Sequence, residues 1–288
     1  MARCLKTINR SMSTFDTLSE LSRFNAKQDL SVTVISKHFY TVLTQAAHVS
    51  SMSGGAWDGT LKPIVDLWGF GPAQKPQQVP NEADIAKVKE SIGFNKIKFF
   101  KQGRQYFIQK LHPHVTLDLG SIAKGYGVDA VADVLKKKLI RSFIVEVGGE
   151  VYVQGQKEKG HPWIVGVNYP EKNAALDAVF LGIKLKNEAV ATSGDYRNWI
   201  ELNGESFAHT IDPRSCHPLR NQVVSVSIIA PNCTLADGLS TAVIVLGPLA
   251  GLKMLEKQKG VSALIITREN TKFEVYTTPN FSRYISSL

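Results

Sequence analysis

Between Lys96 and Tyr276 the chain is dominated by short apolar runs that follow one another through tight turns, and its helical periodicities stand apart from them. Lys96–Phe100 and Gln105–Gln109 read as a hairpin around Gly103, and Val115–Leu119 as a strand feeding a helix from Ile122 to Lys137. Further strands are expected at Phe143–Val147, Val151–Gln154, Trp163–Val167, Val179–Leu185, Tyr196–Leu202, Ser206–Ile211 and Val223–Ala230. A helix from Thr234 to Leu246 presents Leu235, Leu239, Ala242, Val243 and Leu246, after which Ala263–Ile266 and Lys272–Tyr276 return to strand. Strands that neighbour in sequence, joined by short turns and set apart from helices, predict an α+β fold with largely antiparallel sheets.

The front of the chain reads differently. Leu5, Ile8 and Met12 recur at helical spacing. Ser31 is the expected N-cap of a helix that turns Ile35, Phe39, Val42, Leu43 and Ala46 inward and breaks at Gly54-Gly55. Gly69 through Pro80 reads as a loop, and Asn81 caps a short helix with Ile85, Val88 and Ile92 inward, closed by Gly93. No linker divides the chain, so residues 1–288 are expected to form one compact unit. A chain this long buries about 75% of its unfolded surface. Its 43% hydrophobic and 20% charged residues exclude a disordered or fibrous class.

Cys4, Cys216 and Cys233 are too scattered for a disulfide framework, and no Cys-x-x-Cys pair supports a zinc site. The apolar runs are too short to span a bilayer, and Met1 to Arg10 is polar and basic, without the apolar core of an export signal. The formal charge of +9 fits a diffusely basic surface as well as attraction to an anionic partner. Nucleic acid is disfavoured. The tight run Lys136-Lys137-Lys138 ends a predicted helix, where cations complement the dipole, and no basic stripe interleaves with aromatics.

Four segments could carry chemistry. In Leu117-Asp118-Leu119-Gly120-Ser121-Ile122-Ala123-Lys124-Gly125-Tyr126-Gly127, a strand ends in an acid and a helix begins. Free N–H groups there, with Lys124, suit a phosphate; the same pattern also describes an ordinary strand-to-helix connection. Ala191-Thr192-Ser193-Gly194-Asp195-Tyr196 precedes Ala208-His209-Thr210-Ile211-Asp212-Pro213-Arg214, which packs acid–base capacity and an anion clamp into one turn-like segment. Asp237 and Thr241 lie one helical turn apart, and a carboxylate with a hydroxyl on one face suits a hard cation such as Mg²⁺. An acid favouring the helix dipole would look the same. Phe15 and Trp57 offer flat faces to a heterocycle, or simply packing surface.

In this order the segments resemble the ApbE family, the FAD:protein FMN transferases. The matching pieces are Met12 to Phe15, Ser19 to Asn25, Ser53 to Asp58, Leu67-Trp68-Gly69-Phe70-Gly71, Asp118 to Tyr126, Val147-Gly148-Gly149, Ala191 to Tyr196, His209 to Arg214, and Ala230 to Gly247. The resemblance implies that FAD is split at its pyrophosphate, that FMN is esterified to a Thr or Ser of an acceptor flavoprotein, and that AMP leaves. It implies Mg²⁺ on Asp237, Thr241 and the main-chain carbonyl of Ser121. It implies a flavin nucleotide site lined by Phe15, Ala56, Trp57 and Asp58, with Asp118, Lys124 and the Ile211 backbone touching FAD. His209 is the expected proton-transfer group beside the acceptor hydroxyl.

Two departures accompany the match. Family members carry an upstream strand whose Met-Gly-Thr segment touches the flavin, often preceded by a lipoprotein export signal. The expectation is therefore either a truncated chain or a shortened member with a more open FAD site. Cys4 has no signal before it and is not read as a lipidation site, so no membrane anchor is expected within this chain. Family position implies the periplasmic face of a bacterial inner membrane; the bare chain, without an export signal, is equally read as cytoplasmic. Second, Arg214 is followed by Ser215-Cys216, where the family more often has Thr-Gly, which puts the turn beside His209 in question. Hydrolysis of FAD to FMN and AMP would use the same residues, and a non-catalytic flavin-binding protein would keep most of them.

Overall fold

A computed structural model describes all residues except 71–77, 172–173, 176–177, 195–198, 203–204, 271 and 287–288. The expected loop from Gly69 to Pro80 therefore falls largely outside the described residues, as do Asp195, Tyr196 and the start of the strand expected there. Residues 122–197 and 221–288, with Met1, form one compact unit, and residues 2–121 and 198–220 another. Beyond Met1 the chain passes between them three times, the first of these inside the opening turn of the helix Gly120–Lys137.

The first unit is built on a six-stranded sheet in the order Lys272–Thr277, Ser262–Glu269, Val223–Ala230, Ala189–Gly194, Glu150–Gln154, Phe143–Val147, with every neighbouring pair antiparallel. A three-stranded sheet of Ile285–Ser286, Val179–Leu185 and Trp163–Asn168 is also antiparallel throughout. Val224, Ile229, Leu264 and Ile266 of the large sheet bury against Val167, Ile183 and Leu185 of the small one, with Phe281 and Tyr284 closing the layer. The helix Cys233–Leu246 packs on Val223–Ala230 and Ala189–Gly194. Covered on both faces, the central strand Val223–Ala230 is buried at every position, which is why it reads as a nearly continuous apolar run.

The second unit pairs Thr33–Ile35, Gln105–Lys110 and Ile97–Gln102 antiparallel, with the expected hairpin turning at Gly103, φ +58°. The helix Lys37–Met52 buries Phe39, Val42, Leu43, Ala46 and Val49. A second core holds Ile64, Trp68, Ile85, Ile92, Phe207, Ile211 and Cys216. The α+β, antiparallel reading holds throughout the described residues.

Local expectations needed three corrections. The helix at 37 is capped by Ser36, whose Oγ accepts from the Phe39 N–H at 3.2 Å, rather than by Ser31. Ile35 lies on the strand Thr33–Ile35, paired with Tyr106, because β-branched Thr33, Val34 and Ile35 prefer extended backbone. Val115–Leu119 is not a strand and pairs with none of the strands among the described residues. Its partner is a side chain: Asn25 Oδ1 accepts from the Leu117 N–H at 2.7 Å, and Asn25 Nδ2 donates to the Leu117 carbonyl at 2.8 Å. The helices Lys62–Leu67 and Pro248–Leu255, each opened by a proline in its first turn, were not expected.

Candidate active site

In the sheet-rich unit, the helix Gly120–Lys137 lies against the first turn of the helix Cys233–Leu246. A Cβ on Gly125 would stand 2.3 Å from the Cys233 carbonyl oxygen and 2.8 Å from Asp237 Cβ, so this approach requires glycine. The Gly125 N–H donates to Asp237 Oδ2 at 2.9 Å. One turn on, Asp129 caps the partner helix. Its Oδ1 accepts from Cys233 N–H and its Oδ2 from Thr234 N–H, both at 2.8 Å, and Oδ2 also takes the Thr234 hydroxyl at 2.5 Å. Asn232 Oδ1 receives Leu235 N–H at 2.9 Å, so the helix start has donors satisfied from two sides. The glycine contact and the carboxylate cap together set the register that brings Lys124 to Asp237.

Lys124 Nζ bonds Glu150 Oε1 and stands 3.8 Å from Asp237 Oδ1. Asp237 and Glu150 are 1% and 2% exposed, while the lysine side chain keeps 46% of its surface in water. Burial pushes the Asp237 carboxyl up to about 7; Lys124 opposes the shift and Glu150 adds to it. Burial raises Glu150 as well, against the pull of Lys124. Burial also draws the Lys124 ammonium down, but the two carboxylates outweigh it and its pKa is raised. One turn beyond Asp237, Thr241 Oγ1 lies 3.3 Å from Ser193 Oγ, which in turn meets Ser240 Oγ at 2.7 Å.

In the helix-rich unit, the segment from Ser53 to Thr60 folds into a buried turn. Ser53 Oγ accepts from Trp57 N–H at 3.1 Å. The Trp57 indole is 1% exposed, meets Phe94 edge-on with centroids 5.9 Å apart, and donates from Nε1 to Ser121 Oγ at 3.0 Å. Ala56 is equally buried. Asp58 Oδ1 accepts from the Thr60 N–H at 2.7 Å and the Thr60 hydroxyl at 2.6 Å, and Oδ2 from Phe94 N–H at 2.9 Å. Burial raises this carboxyl, although those bonds oppose it. The family resemblance implies that Ala56, Trp57 and Asp58 line the flavin nucleotide site; what the structure displays is the support they give their own turn.

Asp118 donates its N–H to the Gly59 carbonyl at 2.7 Å, and its Oδ1 accepts from Gly120 N–H at 2.8 Å, which leaves an exposed carboxylate at the helix start. Ser121 leaves helical dihedrals (φ −88°, ψ 15°), so its carbonyl is rotated off the direction of the helix axis. Phe15 is 94% exposed, on a turn where Ser13 Oγ accepts from the N–H groups of Phe15 and Asp16, both at 3.2 Å.

His209 is half-buried between the strands Glu205–Ala208 and Ile211–Asp212. Ile211 pairs with Pro218, and the Thr210 carbonyl accepts from Leu219 N–H at 2.9 Å. Arg214 forks onto Asp212, Nε to Oδ1 at 2.8 Å and a terminal nitrogen to Oδ2 at 2.7 Å. Burial would raise Asp212, but the arginine prevails and holds its carboxyl below the usual range. The guanidinium read as an anion clamp is thus committed to its own turn. Cys216 takes φ +65°, the left-handed conformation that a glycine adopts freely, and is pinned by Cys216 N–H to the Asp212 carbonyl at 2.7 Å and by Trp68 Nε1–H to the Cys216 carbonyl at 3.0 Å. The tight turn survives the loss of glycine because its neighbours hold it.

Asp237, Lys124 and Thr241 are therefore assembled around one helix start, together with Glu150 and Asp129, which sequence reasoning missed. A usable signal was present: Glu150 is an acid opening an apolar run directly after Gly148-Gly149, φ +65° and +98°. Among the described residues no group of three or more His, Cys, Asp or Glu is placed to hold a metal ion. A cation here would rest on one carboxylate with neutral oxygens, a set that suits Mg²⁺, which keeps water and phosphate oxygens as its other ligands. Asp237 fits that part. Its Oδ2 is engaged by Gly125, and its Oδ1 faces the Lys124 ammonium at an ion-pair distance of 3.8 Å, longer than a hydrogen bond.

The model of the ApbE family matches residues 1–265. An FAD:protein FMN transferase of Haemophilus influenzae is 39% identical over 269 residues, spanning 92% of this chain and 77% of that protein. One from Escherichia coli K12 is 34% identical over 277 residues, 96% of this chain and 78% of its own. Among solved structures, the flavin transferase ApbE from Vibrio cholerae superposes with a TM-score of 0.85 at 34% identity, covering 98% of this chain and 88% of that one. The apo form of the Pseudomonas stutzeri flavinyl transferase ApbE gives 0.85 at 33% identity, covering 99% and 87%.

Proposed function

Because the chain belongs to the ApbE family, we infer that it transfers FMN from FAD to the hydroxyl of a Thr or Ser on an acceptor flavoprotein and releases AMP. The observation that carries this reading is the buried Asp237 carboxylate, held by the Gly125 N–H with Lys124 beside it at the start of a helix. In the reaction, the acceptor oxygen forms a bond to the FMN phosphorus as the bond from that phosphorus to the bridging oxygen breaks, and AMP carries the bridging oxygen away. Lys124, half in water, offers its ammonium to the pyrophosphate oxygens, where negative charge gathers. His209 takes the proton of the acceptor hydroxyl. Phe15 offers its exposed ring to the isoalloxazine, and Asp118 and the Ile211 backbone bind the rest of FAD.

Asp237, Thr241 and the Ser121 carbonyl would hold Mg²⁺, which when bound supplies positive charge at the phosphate oxygens. The reading carries the family's location with it, the periplasmic face of a bacterial inner membrane. Among the described residues no helix is long and apolar enough to cross a membrane. The test of the site is Asp237→Ala: AMP release from FAD in the presence of Mg²⁺ should be lost, and full release by that variant contradicts the reading.

A further inference from the structure

We propose that Glu150 is a positioning residue that draws Lys124 away from Asp237 and so keeps the Asp237 carboxylate free to bind a divalent cation. The inference rests on the reading of Asp237 as a cation ligand. Three observations carry it. Lys124 is shared unequally, bonded to Glu150 Oε1 but 3.8 Å from Asp237 Oδ1. Glu150 is rigidly placed: it opens the strand Glu150–Gln154 opposite Val147, and a Cβ on Gly148 would already touch both Glu150 Oε2 and Lys124 Cδ at 3.4 Å. Finally, its Oε2 is buried without a hydrogen-bond partner among the described residues, a cost the fold bears at a position where an apolar residue would continue the strand.

Charge balance gives the reason. One ammonium stands between two buried carboxylates. Bonded to Glu150, the ammonium stands 3.8 Å from Asp237 Oδ1 and leaves that oxygen outside hydrogen-bond reach. Remove Glu150, and among the described residues the carboxylate left beside that ammonium is Asp237, where a closer approach would occupy the space a cation needs. An ammonium that loses one of two neighbouring carboxylates is attracted to the one that remains. Neighbours that orient a ligand in this way typically govern metal affinity by about 10–100-fold.

The test is direct Mn²⁺ binding, followed by the paramagnetic signal of free Mn²⁺, in the full-length protein without FAD. Glu150→Gln should weaken Mn²⁺ binding about tenfold or more, and adding Lys124→Met to it should restore most of the affinity, although FAD binding stays impaired. Unchanged Mn²⁺ affinity in Glu150→Gln overturns the proposal. A loss that Lys124→Met does not rescue also overturns it, because Glu150 would then be a ligand itself or merely structural. A crystal structure of Glu150→Gln separates this inference from the reading beneath it: Lys124 Nζ should lie within hydrogen-bond distance of Asp237 whether or not the parent binds Mn²⁺. If the ammonium stays where it is, the positioning role fails; if it moves but the parent binds no Mn²⁺, the cation reading of Asp237 fails, and with it the purpose assigned to Glu150.

Discussion

Gly125 donates its main-chain N–H to Asp237 Oδ2 at 2.9 Å across a helix contact with no space for a side chain. That single bond fixes which oxygen of the acid is engaged and which is left over. Gly125→Ala would push a methyl group into the Cys233 carbonyl, and backbone rather than a flexible tip has to yield. A loss of about 1–3 kcal/mol in urea unfolding is expected, together with weakened cation binding. Unchanged stability would mean that the two helices are not packed this closely.

Asn25 stands in for a missing strand. Both hydrogen bonds of Leu117 go to its amide, and Asp118 follows directly. Asn25→Ala should cost about 1–3 kcal/mol and expose the Leu117 amide to rapid hydrogen exchange, with FAD binding weakened through Asp118. Retained protection at Leu117 in the variant would show that something else holds this segment.

The pH dependence of stability follows from Asp237. Its folded pKa of about 7 lies above the ordinary 3.8, so the folded state holds a proton that the unfolded state gives up. The stability this contributes is complete below about pH 4 and is lost as pH rises to about 7, roughly 4 kcal/mol in all. Without divalent cation, Asp237→Asn should therefore melt above the parent at pH 8, and the gap should close near pH 4. Adding Mg²⁺ at pH 8 should raise the Tm of the parent and leave the variant unmoved. A variant less stable than the parent at pH 8 contradicts the burial argument.

Much of the fold was legible because local and tertiary preferences agree. Val223–Ala230 and the helix beginning at Cys233 are apolar enough to be recognised alone, and Asp237 with Thr241 follows from helical spacing. Reading failed where a distant side chain replaced a local signal. Val115–Leu119 reads as a strand from its alternating apolar residues, yet Leu117 is held by the Asn25 side chain, ninety-two residues away. Ser31 and Ser36 are both credible caps; the pairing of Ile35 with Tyr106 on the sheet selects Ser36. Asp129 and Glu150 act across elements, on the start of another helix and on Lys124, so neither lies within a motif.

His209 is tested apart from the metal. If it accepts the acceptor proton, His209→Gln should keep FAD affinity and lower the rate of flavin transfer by about 100-fold or more. Equal loss of FAD binding and of transfer would instead make it a binding residue.

Incubation with FAD, Mg²⁺ and a Thr-containing acceptor, read by intact mass, tests the central claim most directly. The account predicts an acceptor carrying one covalent FMN, with AMP released in equal amount. Free FMN and AMP with an unmodified acceptor, or FAD recovered intact, would contradict it.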